Sequence, residues 1–186
     1  MKKIIIAAML LIGMIPLMAQ SFEFQYQSRS LDDGATVTIT AEENVWGELA
    51  CETNPSGNPT NGLMLKLLSG TSADVKAELQ IEDNTWDNAF VQWCMGGACV
   101  PLTSGDYLSK DVTVNGLEQV QLDVSRISAK GHLLVKITVS KLSEKHSVYV
   151  KFTYGEASSL RGDLNNDGKI DTSDVVTLVN IIMGKE

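Results

Sequence analysis

The sequence predicts a mainly β protein, an antiparallel sandwich followed by a small loop-and-helix unit at the C-terminus. Two observations carry this. Short segments alternate apolar and polar residues with clusters of turn formers between them, the period of a sheet with one buried face. The last 26 residues, 161–186, instead read as an acidic, Asn-Gly-containing loop running into an apolar stretch of helical length. The alternation picks out Phe22-Glu-Phe-Gln-Tyr-Gln27, Thr36-Val-Thr-Ile-Thr40, Asp111-Val-Thr-Val114, Val120-Gln-Leu-Asp-Val124, Leu134-Val-Lys-Ile-Thr-Val139 and Val148-Tyr-Val-Lys-Phe-Thr-Tyr154. The run 62–68, Gly-Leu-Met-Leu-Lys-Leu-Leu, suits a buried strand or a short helix by pattern alone. Closely flanking turn signals assign it to a strand.

Turn clusters separate these segments at Asp32-Asp33-Gly34, 54–59, 69–72, 104–106 and Asn115-Gly116. About nine short strands at this spacing give the sandwich an immunoglobulin-like character. Asn115-Gly116 predicts a two-residue hairpin, because both central positions of a type I′ turn need positive φ. The strands from Tyr107 onward would then form a meander. Tyr154-Gly155 ends the last strand, so the sandwich occupies 20–155, a short linker 156–160, and the loop-helix module 161–186. No internal repeat or low-complexity tract is visible.

Lys2 and Lys3 precede an apolar run from Ile4 to Met18, and Ala19 supplies a small residue for cleavage. These are the parts of a secretory signal peptide, assigned to residues 1–19, with the cut after Ala19 or Gln20. The run is shorter than the ~20 residues of a spanning helix, so no membrane span is expected after cleavage. The chain is expected to be secreted, at the cell surface or in the periplasm. Loss of the signal leaves 13 basic against 23 acidic residues, a net charge of −10 with histidine neutral. Such a surface repels nucleic acid and anionic lipid.

From Gly162 to Asp174 the chain reads G-D-L-N-N-D-G-K-I-D-T-S-D. Asp163, Asn165 and Asp167 fall at positions one, three and five of a twelve-residue EF-hand-type loop, with Gly168 at six. Calcium takes six to eight oxygens at roughly 2.3–2.6 Å, so short side chains at alternate positions converge on it only around a sharp curl. Gly168 permits the curl. Lys169 would offer its backbone carbonyl, Asp171 would ligate directly or through water, and Asp174 would close the sphere from position twelve. The expected cofactor is Ca2+.

An Asp at position twelve, followed by Leu178 and Ile181-Ile182 on an apolar helix, resembles the repeat of the type I dockerin family. The resemblance covers 161–186 only, and those dockerins carry two repeats where this chain has one. It implies docking onto a cohesin-like receptor or another extracellular protein in an assembly linked to polysaccharide degradation. It also implies that Thr172 and Ser173, at loop positions ten and eleven, contact the partner. Their alternative role is local, with Ser173 or a neighbour capping the helix. Between Val175 and Met183 only Thr177 and Asn180 are polar, so the helix is apolar on more than one face and needs cover from the sandwich, a copy of itself or another protein.

Cys94 and Cys99 bracket Met95-Gly96-Gly97-Ala98, a loop short enough to bring them to disulfide distance, and Cys51 is left as a buried thiol. His132 and His146 read as exposed residues near strand ends, which leaves zinc without a ligand set. Trp93 reads as core, and Trp86 as exposed within the solvated run Glu82-Asp-Asn-Thr-Trp-Asp-Asn88. No G-x-S-x-G, H-E-x-x-H or phosphate-cradling loop occurs. The expectation is a non-enzymatic, calcium-binding scaffolding protein. A carbohydrate-binding or adhesive module with a calcium-stabilised tail is the alternative, and a small glycan hydrolase a third reading.

Overall fold

The computed structural model describes residues 20–44, 47–55, 57–102, 105–155, 164 and 171–184. The predicted signal, the linker 156–160, Trp46 and most of the predicted loop lie outside them.

In chain order the strands begin with β1 (Phe22–Tyr26), β2 (Arg29–Leu31), β3 (Thr36–Thr40), β4 (Glu42–Glu43) and β5 (Leu49–Glu52). Then come β6 (Leu63–Leu67), β7 (Ala73–Asn84), β8 (Phe90–Met95), β9 (Ala98–Pro101) and β10 (Tyr107–Val114). The last are β11 (Leu117–Gln119), β12 (Gln121–Ser125), β13 (Gly131–Lys141) and β14 (Glu144–Tyr154), and a helix α1 spans Thr172–Ile182. They form three sheets, ordered β11-β6-β1-β2, β10-β7-β13-β14-β3 and β4-β5-β12-β8-β9. Among the described residues no helix is long and apolar enough to cross a membrane.

The mainly β expectation holds, and 62–68 contains a strand as assigned. Other expectations need correction. The strand count is fourteen among the described residues, against about nine. Strand β7, the longest, is missing from the predicted segments although Ala73, Val75, Ala77 and Leu79 alternate with Asp74, Lys76 and Glu78. Two of its inward residues are alanines, which give a weak hydrophobic signal and have low β propensity. The pairing is not purely antiparallel either, because β14 runs parallel to β3, Tyr149 facing Thr36 and Thr153 facing Thr40.

Asn115-Gly116 is not a hairpin. Gly116 has φ 73°, but Asn115 is not in the left-handed region, so the turn lacks the type I′ form. β10 pairs with β7, whereas β11 crosses to β6 in another sheet. The turn signal marks a reversal; burial of Val114 and Val120 in the common core decides where the chain goes next. The meander expected after Tyr107 is absent for the same reason.

All three sheets contribute to one core. Phe22, Phe24, Leu63 and Leu65 come from the first, Leu79, Leu133, Ile137 and Phe152 from the second, and Trp93 and Leu122 from the third. Full burial of one such side chain stabilises by about 1.5–3 kcal/mol. His146 corrects its predicted exposure. It continues the inward alternation of Val148, Val150 and Phe152 and is buried, edge-on to Phe24 with ring centroids 5.7 Å apart. Trp86 is buried too, its indole N–H donating to the Ala129 carbonyl at 3.0 Å.

Where the chain passes between sheets, two buried polar side chains add their own hydrogen bonds to those of the backbone. Asn54 Nδ2 donates to the carbonyls of Pro59 (2.9 Å) and Leu63 (3.0 Å). Thr53 Oγ1 accepts the Leu122 N–H at 2.8 Å and stands 2.7 Å from Asn54 Oδ1. Gly62 closes over them so tightly that a Cβ there would lie 2.4 Å from the Thr53 carbonyl oxygen. Substituting Asn54→Ala should remove one of two donors from each carbonyl, since Pro59 O keeps the Gly62 N–H and Leu63 O the Val120 N–H, and cost about 1–2 kcal/mol in urea unfolding, with the denaturant slope unchanged. A loss below about 0.5 kcal/mol would show that the Gly62 and Val120 N–H groups alone suffice for the two carbonyls.

Candidate functional site

The predicted ligands Asp163, Asn165, Asp167 and Lys169 lie outside the described residues, as does Gly168. Asp171, Thr172, Ser173 and Asp174 are described, and together with Leu164 they show how the loop meets the helix. The N-cap is Asp171, in extended conformation, its Oδ1 accepting the Ser173 N–H at 2.7 Å. Three residues on, Asp174 Oδ2 accepts the Asp171 N–H at 2.8 Å, completing a reciprocal capping box with Asp in the place usually held by Glu or Gln. Capping therefore belongs to Asp171 and not to Ser173, whose hydroxyl donates to the same Asp171 oxygen at 2.7 Å.

Asp174 also reaches back across the loop. Its Oδ1 accepts the Leu164 N–H at 2.7 Å, so one carboxylate fastens position two of the loop to positions nine and twelve. It is 4 % exposed, and a carboxylate in so dry a place needs the donors it has found. Asp171 and Asp174 thus supply all-oxygen, acceptor-only chemistry of the kind a hard cation takes. Among the described residues alone, no three acidic, cysteine or histidine side chains gather closely enough for a metal.

Thr172 is exposed and Ser173 half-buried at the helix start, so neither lies beneath the strands. Downstream, Val175, Val176, Leu178, Val179, Ile181, Ile182 and Met183 are all 43–74 % exposed. At about 100° per residue these seven occupy an arc of about 220°, and Ser173, Thr177 and Asn180 fill a narrow polar stripe opposite.

Cys94 and Cys99 are joined as expected, with Cα atoms 4.0 Å apart across the β8–β9 hairpin. The loop they close does more than turn. Its Gly96, at φ 67°, lies so near β10 that a Cβ would approach Val112 Cγ1 to 2.7 Å, and its N–H donates to Glu118 at 2.8 Å. Lys110 lies 4.2 Å above the Trp93 ring and donates to the Met95 and Ala98 carbonyls. Burial lowers the pKa of its ammonium, with Glu118 opposing. Cys51 is free and buried, and burial pushes its thiol up to about 12.

No protein-family model and no curated protein matches the chain. Solved structures do. The N-terminal domain of PorA aligns with a TM-score of 0.51 at 14 % identity, covering 72 % of this chain and 97 % of that one. A family 123 glycoside hydrolase from Clostridium perfringens, described for glycolipid glycan hydrolysis, aligns at a TM-score of 0.34 and 11 % identity, covering 72 % of this chain and 27 % of that one. At such identities the likeness to the PorA domain concerns the fold alone, and the second carries no argument.

Two outcomes follow from this geometry. Asp171→Ala should remove the N-cap and cost the helix about 1 kcal/mol, seen as reduced helical signal and faster amide exchange over 172–177, with the strands unaffected. Cys51 should resist alkylation at pH 8 in the folded protein and react once it is denatured, because too little thiolate forms below its raised pKa. Rapid labelling of native protein would contradict that burial.

Proposed function

We propose that this chain is an exported, calcium-binding, non-catalytic docking protein. In this reading an immunoglobulin-like β-sandwich carries one dockerin-like hand, which seats α1 on an extracellular, cohesin-like protein within an assembly. The observation that carries the reading is the pairing of opposites in 171–183. A helix whose start is fixed by a reciprocal carboxylate cap presents an apolar surface to solvent over more than half its circumference. One flat sheet would leave part of that arc wet, whereas a partner groove would cover it.

Calcium, when bound, supplies positive charge that lets the converging carboxylates of the loop lie close together. Asp163, Asn165, Asp167, Asp171 and Asp174 with the Lys169 carbonyl would hold it. The chain's own part is to keep Asp174 oriented through the Leu164 and Asp171 N–H groups and to start the helix at Asp171. Thr172 and Ser173 then stand at the rim of the contact.

Calorimetric titration of the mature protein should find one main calcium site, lost in Asp163→Ala and in Asp167→Ala. Both variants binding like the parent would overturn the loop assignment. With calcium present, the double substitution Thr172→Arg and Ser173→Arg should abolish capture by an immobilised cohesin while calcium affinity and melting temperature stay within error. Capture that is absent for the parent as well, on a panel of cohesins, would sink the docking reading and leave calcium binding standing.

A further inference from the structure

The end of the fold where β1 begins holds a cleft of about 810 Å³, and the first described residues form its wall. Gln20 and Ser21 face the Asp32-Asp33 turn and the β13–β14 tip across it. Both are anchored. Gln20 Nε2 donates to His146 Nδ1 at 2.7 Å, and Ser21 gives its N–H to Glu144 Oε1 at 2.9 Å and its hydroxyl to Glu144 Oε2. The Asp33 side is anchored as well, Asp33 Oδ1 accepting the Ser147 N–H at 2.7 Å and Ser147 O accepting the Gly34 N–H. The backbone nitrogen of Gln20 is thereby held within about 7 Å of Glu144 Oε1, since the next amide along the chain donates to that oxygen.

The charges that line the cleft beside Gln20 are lopsided. Glu23, Asp32, Asp33 and Glu144 line the cleft against two cations, Lys141 and Lys145, with His146 at its inner end. A peptide nitrogen gains nothing from that surplus. An ammonium there gains from each carboxylate, and a partly enclosed cleft screens the attraction less than open water does. We infer that this cleft is a socket for the chain's own processed N-terminus, the α-ammonium of Gln20 created when residues 1–19 are removed. The inference rests on the signal reading, and it turns cleavage into a stabilising event. The uncut chain carries an amide where the mature one carries a charge that the cleft is built to hold.

The sign of the pH dependence follows. An α-amine titrates near 7.7–8.0 in an unfolded chain, and neighbouring carboxylates raise it in the folded one. The stabilisation is fully present below the unfolded value and is lost as pH rises through the folded value.

The test compares the protein beginning at Gln20, released from a cleavable fusion, with the same protein carrying two additional N-terminal glycines, which move the ammonium by about 7 Å. At pH 7 the chain beginning at Gln20 should melt about 3 °C higher, and the gap should close by pH 9.5. Asp32→Asn should narrow the gap while leaving the Ser21–Glu144 clasp intact. Superimposable melting curves and pH profiles for the two N-termini would overturn the socket. Separately, the mass of the N-terminal peptide from exported protein should place Gln20 first with its amine intact. A different first residue, or the loss of one ammonia through cyclisation of Gln20, would also overturn it.

Discussion

Three small sheets can share one core only if the chain crosses between them without leaving buried backbone groups bare, and Thr53 and Asn54 meet that constraint. They follow β5 directly and lie against the start of β6 and the start of β12, so elements of two sheets converge on a pair of side chains. Gly62 matters because it is small: the Thr53 carbonyl and the Asn54 backbone take the room a side chain would need. Isolated hydrogen bonds of this kind contribute modestly, about 0.5–1.5 kcal/mol each, but leaving the Leu122 N–H bare in a dry interior would cost more. The disulfide-closed loop performs a related task at a second junction. Gly96, Lys110 and Glu118 bring the β8–β9 turn against β10 and β11, one from each of the other two sheets.

The tail is organised by the opposite logic. Its helix hides little apolar surface, and its definition comes from polar groups at one end, where Asp171 and Asp174 satisfy amides that the helix leaves open. An eleven-residue helix is marginal by itself in water, so the cap, and whatever covers the apolar arc, decide how much of it persists. Order in this unit therefore depends on its acidic end, whereas order among the strands depends on side chains such as Phe24, Trp93 and Phe152 that never meet solvent.

Alternation alone revealed six of the fourteen described strands, β1, β3, β10, β12, β13 and β14, because their inward residues are large, as in Leu134 to Val139 and Val148 to Tyr154. It failed at β7, whose inward alanines look neutral, and at Asn115-Gly116, where a local turn preference says nothing about which strand will be the neighbour. His146 was legible by register with Val148 and Val150, yet its polarity pointed the other way; the ring is held by Gln20 and Phe24, which no local window includes. Trp86 was obscured by its acidic and amide neighbours, since the carbonyl that satisfies its indole belongs to Ala129, 43 residues away. In the tail, spacing named Asp171 and Asp174 as ligands but not as each other's cap, because ligand spacing and capping spacing coincide there. The cleft at Gln20 left no sequence signal, being assembled from the start of β1 and two separated turns.

The parallel contact between β3 and β14 bears on the order in which the protein becomes itself. Thr36 to Thr40 must wait for Tyr149 to Thr153, more than a hundred residues downstream, before that edge of the sheet can close. Contacts of such long range are slow to form, since loop-closure entropy is lost before any of them contributes. A chain emerging N-terminus first, from a ribosome or through a membrane, would hold β1 to β13 in an unfinished state until almost the whole strand-forming region is out. The final strand thus acts as a latch thrown late, closing an edge whose other half was made long before it.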